Sequence, residues 1–135
     1  MEHTLAIIKP DITGAGREFE ILQAITQHGF KIVACEKKQL TAQEAEDFYA
    51  EHKGRPFLPE LVDFMSSGSV IVLVLEKPEA IVGWRELMGA TDPALAQEGT
   101  IRKRFGASKG SNATHGSDSQ ASAKREIAFF FPHLA

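Results

Sequence analysis

The stretch "SNATHGSDS", Ser111 to Ser119, sets one histidine among small and polar residues that offer almost nothing to a hydrophobic core. A neutral imidazole is a competent nucleophile near neutral pH. Small neighbours leave room for a group to approach the ring, and Gly116 tolerates unusual backbone angles. The residues that follow read as a helix N-terminus, which favours negative charge nearby. This pattern predicts a His115 that attacks an anionic group such as a phosphoryl. The competing reading is a histidine in a surface turn with no chemistry.

Basic residues elsewhere bear on that choice. Lys9 ends an apolar run beside Pro10, Arg85 sits in "GWRELM", and Arg102 opens "IRKRF". Each alone reads as a solvated cation. Phosphoryl transfer, however, needs several fixed cations around one phosphate chain. Arginine supplies planar forked donors and lysine a point charge. Thr91 and Asn112 are candidates for further polar contacts. No G-x-x-x-x-G-K-S/T segment occurs, and "GAGREFE" lacks the G-x-G-x-x-G spacing. Phe57, in "RPF", is suited either to stacking on a base or to a core contact.

The elements that must position these residues follow from periodicity. "TLAII", the start of "FKIVACEKKQL", and "VIVLVL" read as strands, the last most clearly. Arg17 to His28 reads as a helix with Phe19, Leu22 and Ile25 on its apolar face and Gly29 as its stop. Thr41 and Glu44 form a capping-box pattern for a helix through Tyr49. Phe57, Leu61, Phe64 and Met65 repeat at helical spacing until "SSGS". Pro78 suits the first turn of a helix reaching about Met88. "DSQASAKREIAFFF" reads as a last helix, capped by Asp118 or Ser119. "DITGAG" reads as a loop, as does Gly89 to Gly110. A structureless loop of about twenty residues tends to be functional or disordered. Strands alternating with helices predict a sheet covered by helices, in the α/β or α+β range. Three strands are visible; a fourth, if present, must be the short piece "ATHG".

Composition sets the outer limits. The 135 residues suit one domain, 1–135, with 43% hydrophobic and 24% charged residues. A formal net charge of −3 opposes a general field for nucleic acid or an acidic membrane surface. "RKRF" with Lys109 and Phe105 is a short basic-aromatic cluster, so nucleic-acid binding stays a minor alternative. The one cysteine, Cys35, excludes an internal disulfide. Its place in "FKIVAC" predicts core filler rather than a nucleophile, and it fits a reducing compartment. The N-terminus lacks the basic region of a secretory signal, and "VIVLVL" is too short to cross a bilayer. The expectation is a soluble, cytoplasmic protein with no membrane contact.

"NATHGSDS" closely resembles N-x-x-H-G-S-D, the active-site signature of nucleoside diphosphate kinases. The resemblance extends through "IIKPD", "FYAEHKGRPF", "LVDFMSSG", "LMGATDP", "GTIR" and "SAKREIAFFF", in the same order and spacing. It implies a ferredoxin-like α/β (α+β) sandwich with a four-stranded antiparallel sheet. It implies transfer of the γ-phosphoryl group from a nucleoside triphosphate, typically ATP, to a nucleoside diphosphate. The route is ping-pong through a phosphohistidine, here His115, and the role is balancing nucleotide pools. By motif position, Lys9, Tyr49, Arg85, Thr91, Arg102 and Asn112 contact phosphates or sugar. Phe57 stacks on the base with Leu61 beside it, and Glu126 orients His115 with Ser117 in the same network. Mg2+ rides on the nucleotide phosphates without direct protein ligands. The assembly implied is a homo-oligomer, a tetramer or hexamer built from dimers.

The chain departs from the family pattern at a few places. Ala15 stands at a usually basic position and Phe19 where glycine is common. Arg104 stands two residues after Arg102, where an acid is usual. It is expected either to tighten anion binding or to disturb the ion pairs of its loop. The short tail "FFFPHLA" leaves the assembly open. A non-catalytic nucleotide-binding module would have lost a site histidine, lysine or arginine, and none is lost.

Overall fold

The computed structural model describes residues 1–109 and 111–134. The end of the expected loop at Gly110, and the C-terminal Ala135, lie outside the described residues. The strands are β1 (Glu2–Ile8), β2 (Lys31–Gln39), β3 (Ser69–Lys77) and β4 (Thr114–Gly116). The helices are α1 (Pro10–Gly14), α2 (Glu18–Gln27), α3 (Ala42–Phe48), α4 (Leu58–Met65), α5 (Ala80–Met88), α6 (Ile101–Phe105) and α7 (Gln120–Phe130). All strand pairs are antiparallel, and the sheet order is β2-β3-β1-β4. This is the expected ferredoxin-like α+β arrangement.

The unbroken apolar runs of β1 and β3 follow from their central places in a sheet covered on both faces. Side chains alternate across a strand. Leu5, Ile7, Val70, Val72 and Val74 therefore enter one core, with Phe48 of α3, Met65 of α4 and Ile127 of α7. Ala6, Ile8, Ile71, Leu73 and Leu75 enter the other, with Ile21 and Ile25 of α2 and Trp84 and Met88 of α5. β2 is an edge strand and carries charge accordingly. Cys35 is exposed on it, so it is not the core filler expected; only alternate residues of that short apolar run turn inward.

Several local expectations hold. Thr41 and Glu44 form the reciprocal capping box. Ser119, not Asp118, caps α7, accepting from the Ser122 N–H at 3.1 Å. "ATHG" does supply the fourth strand, with Ile7 opposite His115.

Others give way to packing. "DITGAG" is not all loop, because Pro10 at the first helical position and Asp11 beside it start α1. The buried face of α2 runs through Ile21 and Ile25, leaving Phe19 77% exposed. Phe19 precedes Ile21 by about 200° of helix rotation, so the two cannot share a face. Pro78 and Glu79 form a turn, Glu79 with φ 54°, and α5 starts only at Ala80. The Glu2 carboxylate accepts from the Ile81 N–H at 2.8 Å, doing across the sheet what a local cap would do. The expected loop contains α6, whose first turn is capped by Thr100 accepting from Lys103 N–H.

Candidate active site

His115 lies in the edge strand β4, and its carbonyl accepts from Trp84 Nε1 at 3.1 Å. Gly116 is required here by close approach. A Cβ on it would lie 2.5 Å from both Met88 Cε and Trp84 Cδ1. The imidazole meets the edges of Phe48 and Tyr49, with ring centroids 5.3 and 6.1 Å away. Its Nε2 is 2.8 Å from Glu126 Oε1. Ser117 Oγ donates to the same oxygen at 2.9 Å and accepts from Leu5 N–H at 3.2 Å. Arg125 Nη2 stands 3.5 Å from Glu126 Oε2. An ionised carboxylate only accepts, so this pairing assigns the hydrogen to Nε2 and leaves the lone pair on Nδ1.

The histidine opens onto a cavity of about 730 Å³, large enough for a nucleotide-sized ligand. Lys9 and Asn112 form its floor. Lys9 Nζ donates to Asn112 Oδ1 at 2.8 Å, and Asn112 Nδ2 donates to the Thr91 carbonyl at 3.0 Å. Arg102 is braced through Nη1 to the Gly89 carbonyl and Nη2 to the Thr114 carbonyl, while its buried Nε has no partner. Arg85 and Thr91 also line the cavity.

The electrostatics of this floor favour an anion. Burial, followed by the nearby Arg102 charge, lowers the Lys9 ammonium to about 8, against a smaller opposing pull from Asp11. Burial and then the Arg85 charge bring Arg102 down to about 10, so it stays cationic at neutral pH. Among the described residues none of these three cations forms an ion pair with a carboxylate. A bound polyanion would relieve their mutual repulsion.

A titration prediction arises directly. Anion affinity is expected to fall as pH rises through about 8, as Lys9 loses its proton. Calorimetric ADP binding across that range checks this, and a Lys9→Met protein should lack the step. The stability effect has the opposite sign. Between about 8 and the ordinary lysine value of 10.5 the unfolded chain binds more protons at this group. Raising pH through that window therefore relieves a folding penalty even as it removes the binding charge.

The mouth of the cavity is aromatic. Phe57 is 46% exposed, belongs to neither core and lies edge-on to His52 at 5.3 Å, which in turn stacks on Tyr49. That placement removes the core-contact reading of Phe57. Leu61, one turn further along α4, lines the same wall. The Tyr49 hydroxyl is buried without a hydrogen-bond partner, and burial, with a smaller effect of Glu126, raises its pKa.

Every site residue implied by the family resemblance thus lines this cavity except Ser117, which is fully buried behind it against Glu126. His115 lies in a strand with its side chain mostly buried, not in a surface turn. Arg104 is elsewhere: it pairs with Glu20 at 3.3 Å and lies over the Phe105 ring, so it adds no charge to the cavity. The sequence reading passed over His52, and weighed Asp118 only as a helix cap. Asp118 lines the cavity with its carboxyl lowered chiefly by the Ser122 hydroxyl and further by Arg85. Its place inside the histidine signature was the available signal.

A histidine held by a carboxylate at one nitrogen, facing a cationic cavity with an aromatic mouth on a ferredoxin-like fold, defines a phosphotransferase. Residues 2–135 match the family model described as nucleoside diphosphate kinase. A nucleoside diphosphate kinase of Chlamydia felis is 55% identical over 97% of this chain and 93% of that protein. One from Geotalea uraniireducens is 54% identical over 99% and 98%. An orthorhombic crystal form of the Aquifex aeolicus nucleoside diphosphate kinase superposes with a TM-score of 0.95, at 46% identity, over 98% of this chain and 96% of that one. The chain belongs to the nucleoside diphosphate kinase family.

Proposed function

We propose that residues 1–135 act as one nucleoside diphosphate kinase domain that works through phosphorylated His115. The observation that carries this is the 2.8 Å contact of His115 Nε2 with Glu126 beside three cations that, among the described residues, lack carboxylate partners. Nδ1 attacks the γ-phosphorus of a nucleoside triphosphate, the N–P bond forms, and the bond to the β-phosphate oxygen breaks. The diphosphate leaves. A second diphosphate then attacks with a terminal β-oxygen, the N–P bond breaks, and the new triphosphate departs. Throughout, Nε2–H stays on Glu126, which offsets the positive charge of the phosphorylated ring. Lys9, Arg85 and Arg102 hold the phosphates. Thr91 and Asn112 add polar contacts to phosphate or sugar, and the Tyr49 hydroxyl is free to make one. The reaction so performed interconverts nucleoside triphosphates and keeps their pools in balance.

Mg2+ fits as an ion carried on the nucleotide phosphates, where it would neutralise developing charge. Asp118 lines the cavity with Glu51 and Glu60, lies close enough to Arg85 to feel its charge, and would meet the water shell of that ion. A homo-oligomer built from dimers, tetramer or hexamer, and a cytoplasmic location belong to the same proposal, supported by the family resemblance. No described helix is long and apolar enough to cross a membrane.

Phe57 and Leu61 hold the base. Stacking is worth about 1–3 kcal/mol per base and serves every base, so nucleotide choice is broad. It is similar in ground and transition states. Phe57→Ala is therefore expected to raise KM about tenfold with kcat little changed. Steady-state kinetics at varied GDP checks this, and an unchanged KM would remove Phe57 from the site.

The mechanism is tested by incubating the protein with γ-labelled ATP and Mg2+. The expected product is an acid-labile, base-stable label that GDP removes as GTP. No label on a protein that still binds nucleotide would overturn the proposal.

A further inference from the structure

Asp11, in the "IIKPD" block, takes no part in the chemistry above, yet it reaches the histidine signature. Ala113 lies between Asn112 and Thr114, is fully buried and has φ 76°. The Thr114 N–H donates back to the Asn112 carbonyl at 2.9 Å, closing a tight turn centred on Ala113. A positive φ in such a turn is strained for any residue with a Cβ. The peptide groups on both sides of Ala113 are gripped from the β1–α1 junction. Asp11 Oδ2 accepts from the Ala113 N–H at 3.1 Å, and the Lys9 N–H donates to the Ala113 carbonyl at 2.9 Å. The same junction supplies Lys9 Nζ to Asn112. Asp11 Oδ1 is buried with no partner, so this carboxylate is retained at a desolvation cost.

We propose that Asp11 is a positioning residue whose carboxylate holds Ala113 at positive φ, and that this turn aims Asn112 and His115 into the cavity. The inference rests on the His115 reading above. Burial raises the Asp11 carboxyl, and the Ala113 N–H draws it part of the way back, with smaller pulls from the Lys9 charge and the Asp11 and Ile12 backbone.

The test is the single-turnover rate of His115 labelling from γ-labelled ATP, with the thermal midpoint measured alongside. The proteins are the wild type, Asp11→Ala, Asp11→Asn, Ala113→Gly and the double variant Asp11→Ala/Ala113→Gly. Asp11→Ala should slow labelling about tenfold or more, the factor that matches the cost of a sparsely populated backbone conformation. Ala113→Gly should keep most of the rate, because glycine visits positive φ freely. The double variant should recover about tenfold over Asp11→Ala, since glycine needs no clamp. Asp11→Asn should stay near wild type, because its amide oxygen accepts the same N–H. An equal loss from Asp11→Ala in both backgrounds overturns the clamp and points to the Asp11 charge on Lys9. Full labelling by Asp11→Ala overturns it as well. Should Asp11→Ala not fold, Asp11→Asn decides: retained labelling supports the clamp, and a loss that Ala113→Gly does not restore overturns it. A wild-type protein that takes no label refutes the His115 mechanism itself, a different failure.

Discussion

Replacing His115 by alanine is expected to abolish phosphotransfer, by at least about 10⁴-fold, while nucleotide affinity stays within about threefold. The two effects separate because the proposed mechanism makes the imidazole the attacking group and assigns binding to Lys9, Arg85, Arg102 and the aromatic mouth. Glu126 is a poor replacement nucleophile, since its Oε1 accepts from Ser117 and its Oε2 faces Arg125 at 3.5 Å. The fold should survive, since the β4 pairing and the bond from the Trp84 indole use only backbone atoms of residue 115. Single-turnover labelling paired with calorimetric ADP binding reads both quantities. Turnover retained by His115→Ala would sink the mechanism, and loss of binding along with turnover would mean a collapsed site.

Arg102→Ala carries the second largest expected effect. Loss of one preorganised donor to a developing negative charge typically costs about 10²–10³ in rate. Arg102 has a further duty that Arg85 is not seen to share. Its two terminal nitrogens tie Gly89 to Thr114, the residue before His115. Truncation therefore also leaves the buried Thr114 carbonyl without this donor, at about 1–3 kcal/mol of stability, and loses the bond to the half-buried Gly89 carbonyl. Arg102→Lys should fail to rescue, because a point charge cannot brace two carbonyls and offer a third donor at once. We expect kcat/KM to fall in both variants together with the thermal midpoint. Arg85, which has no such braces among the described residues, should on replacement by alanine lose rate with the thermal midpoint largely kept. Near-normal rates in both alanine variants would place the phosphates elsewhere.

What could be read from the chain alone was what neighbouring residues decide between themselves. The capping box at Thr41 and the Ser119 cap are arrangements within one helical turn. The runs in β1 and β3 are apolar at every position, so they marked buried strands wherever the sheet lay. The histidine signature was legible through its resemblance to the family's N-x-x-H-G-S-D, while the small residues around the imidazole by themselves left the surface-turn reading open. Where the reading failed, a distant partner had the deciding vote. α5 starts at Ala80 because Glu2 caps it from β1, and α2 turned Ile21 inward and Phe19 outward against the sheet. Cys35 faces solvent because its strand lies at the sheet's edge.

The sequence by itself determined the residue types of the site and the order of the elements that carry them, because both are properties of the chain as written. Only the tertiary structure decided that Lys9, Arg85 and Arg102 converge, that Glu126 takes Nε2 and leaves Nδ1 free, that Arg104 turns to Glu20 instead, and that Asp11 grips Ala113. Those are facts about groups that lie more than ten residues, and up to about a hundred, apart in the chain. Periodicity reports which face of an element is buried, but not which element lies against it. A three-residue strand such as β4 has no periodicity to report at all; its register on β1 is what aims the histidine.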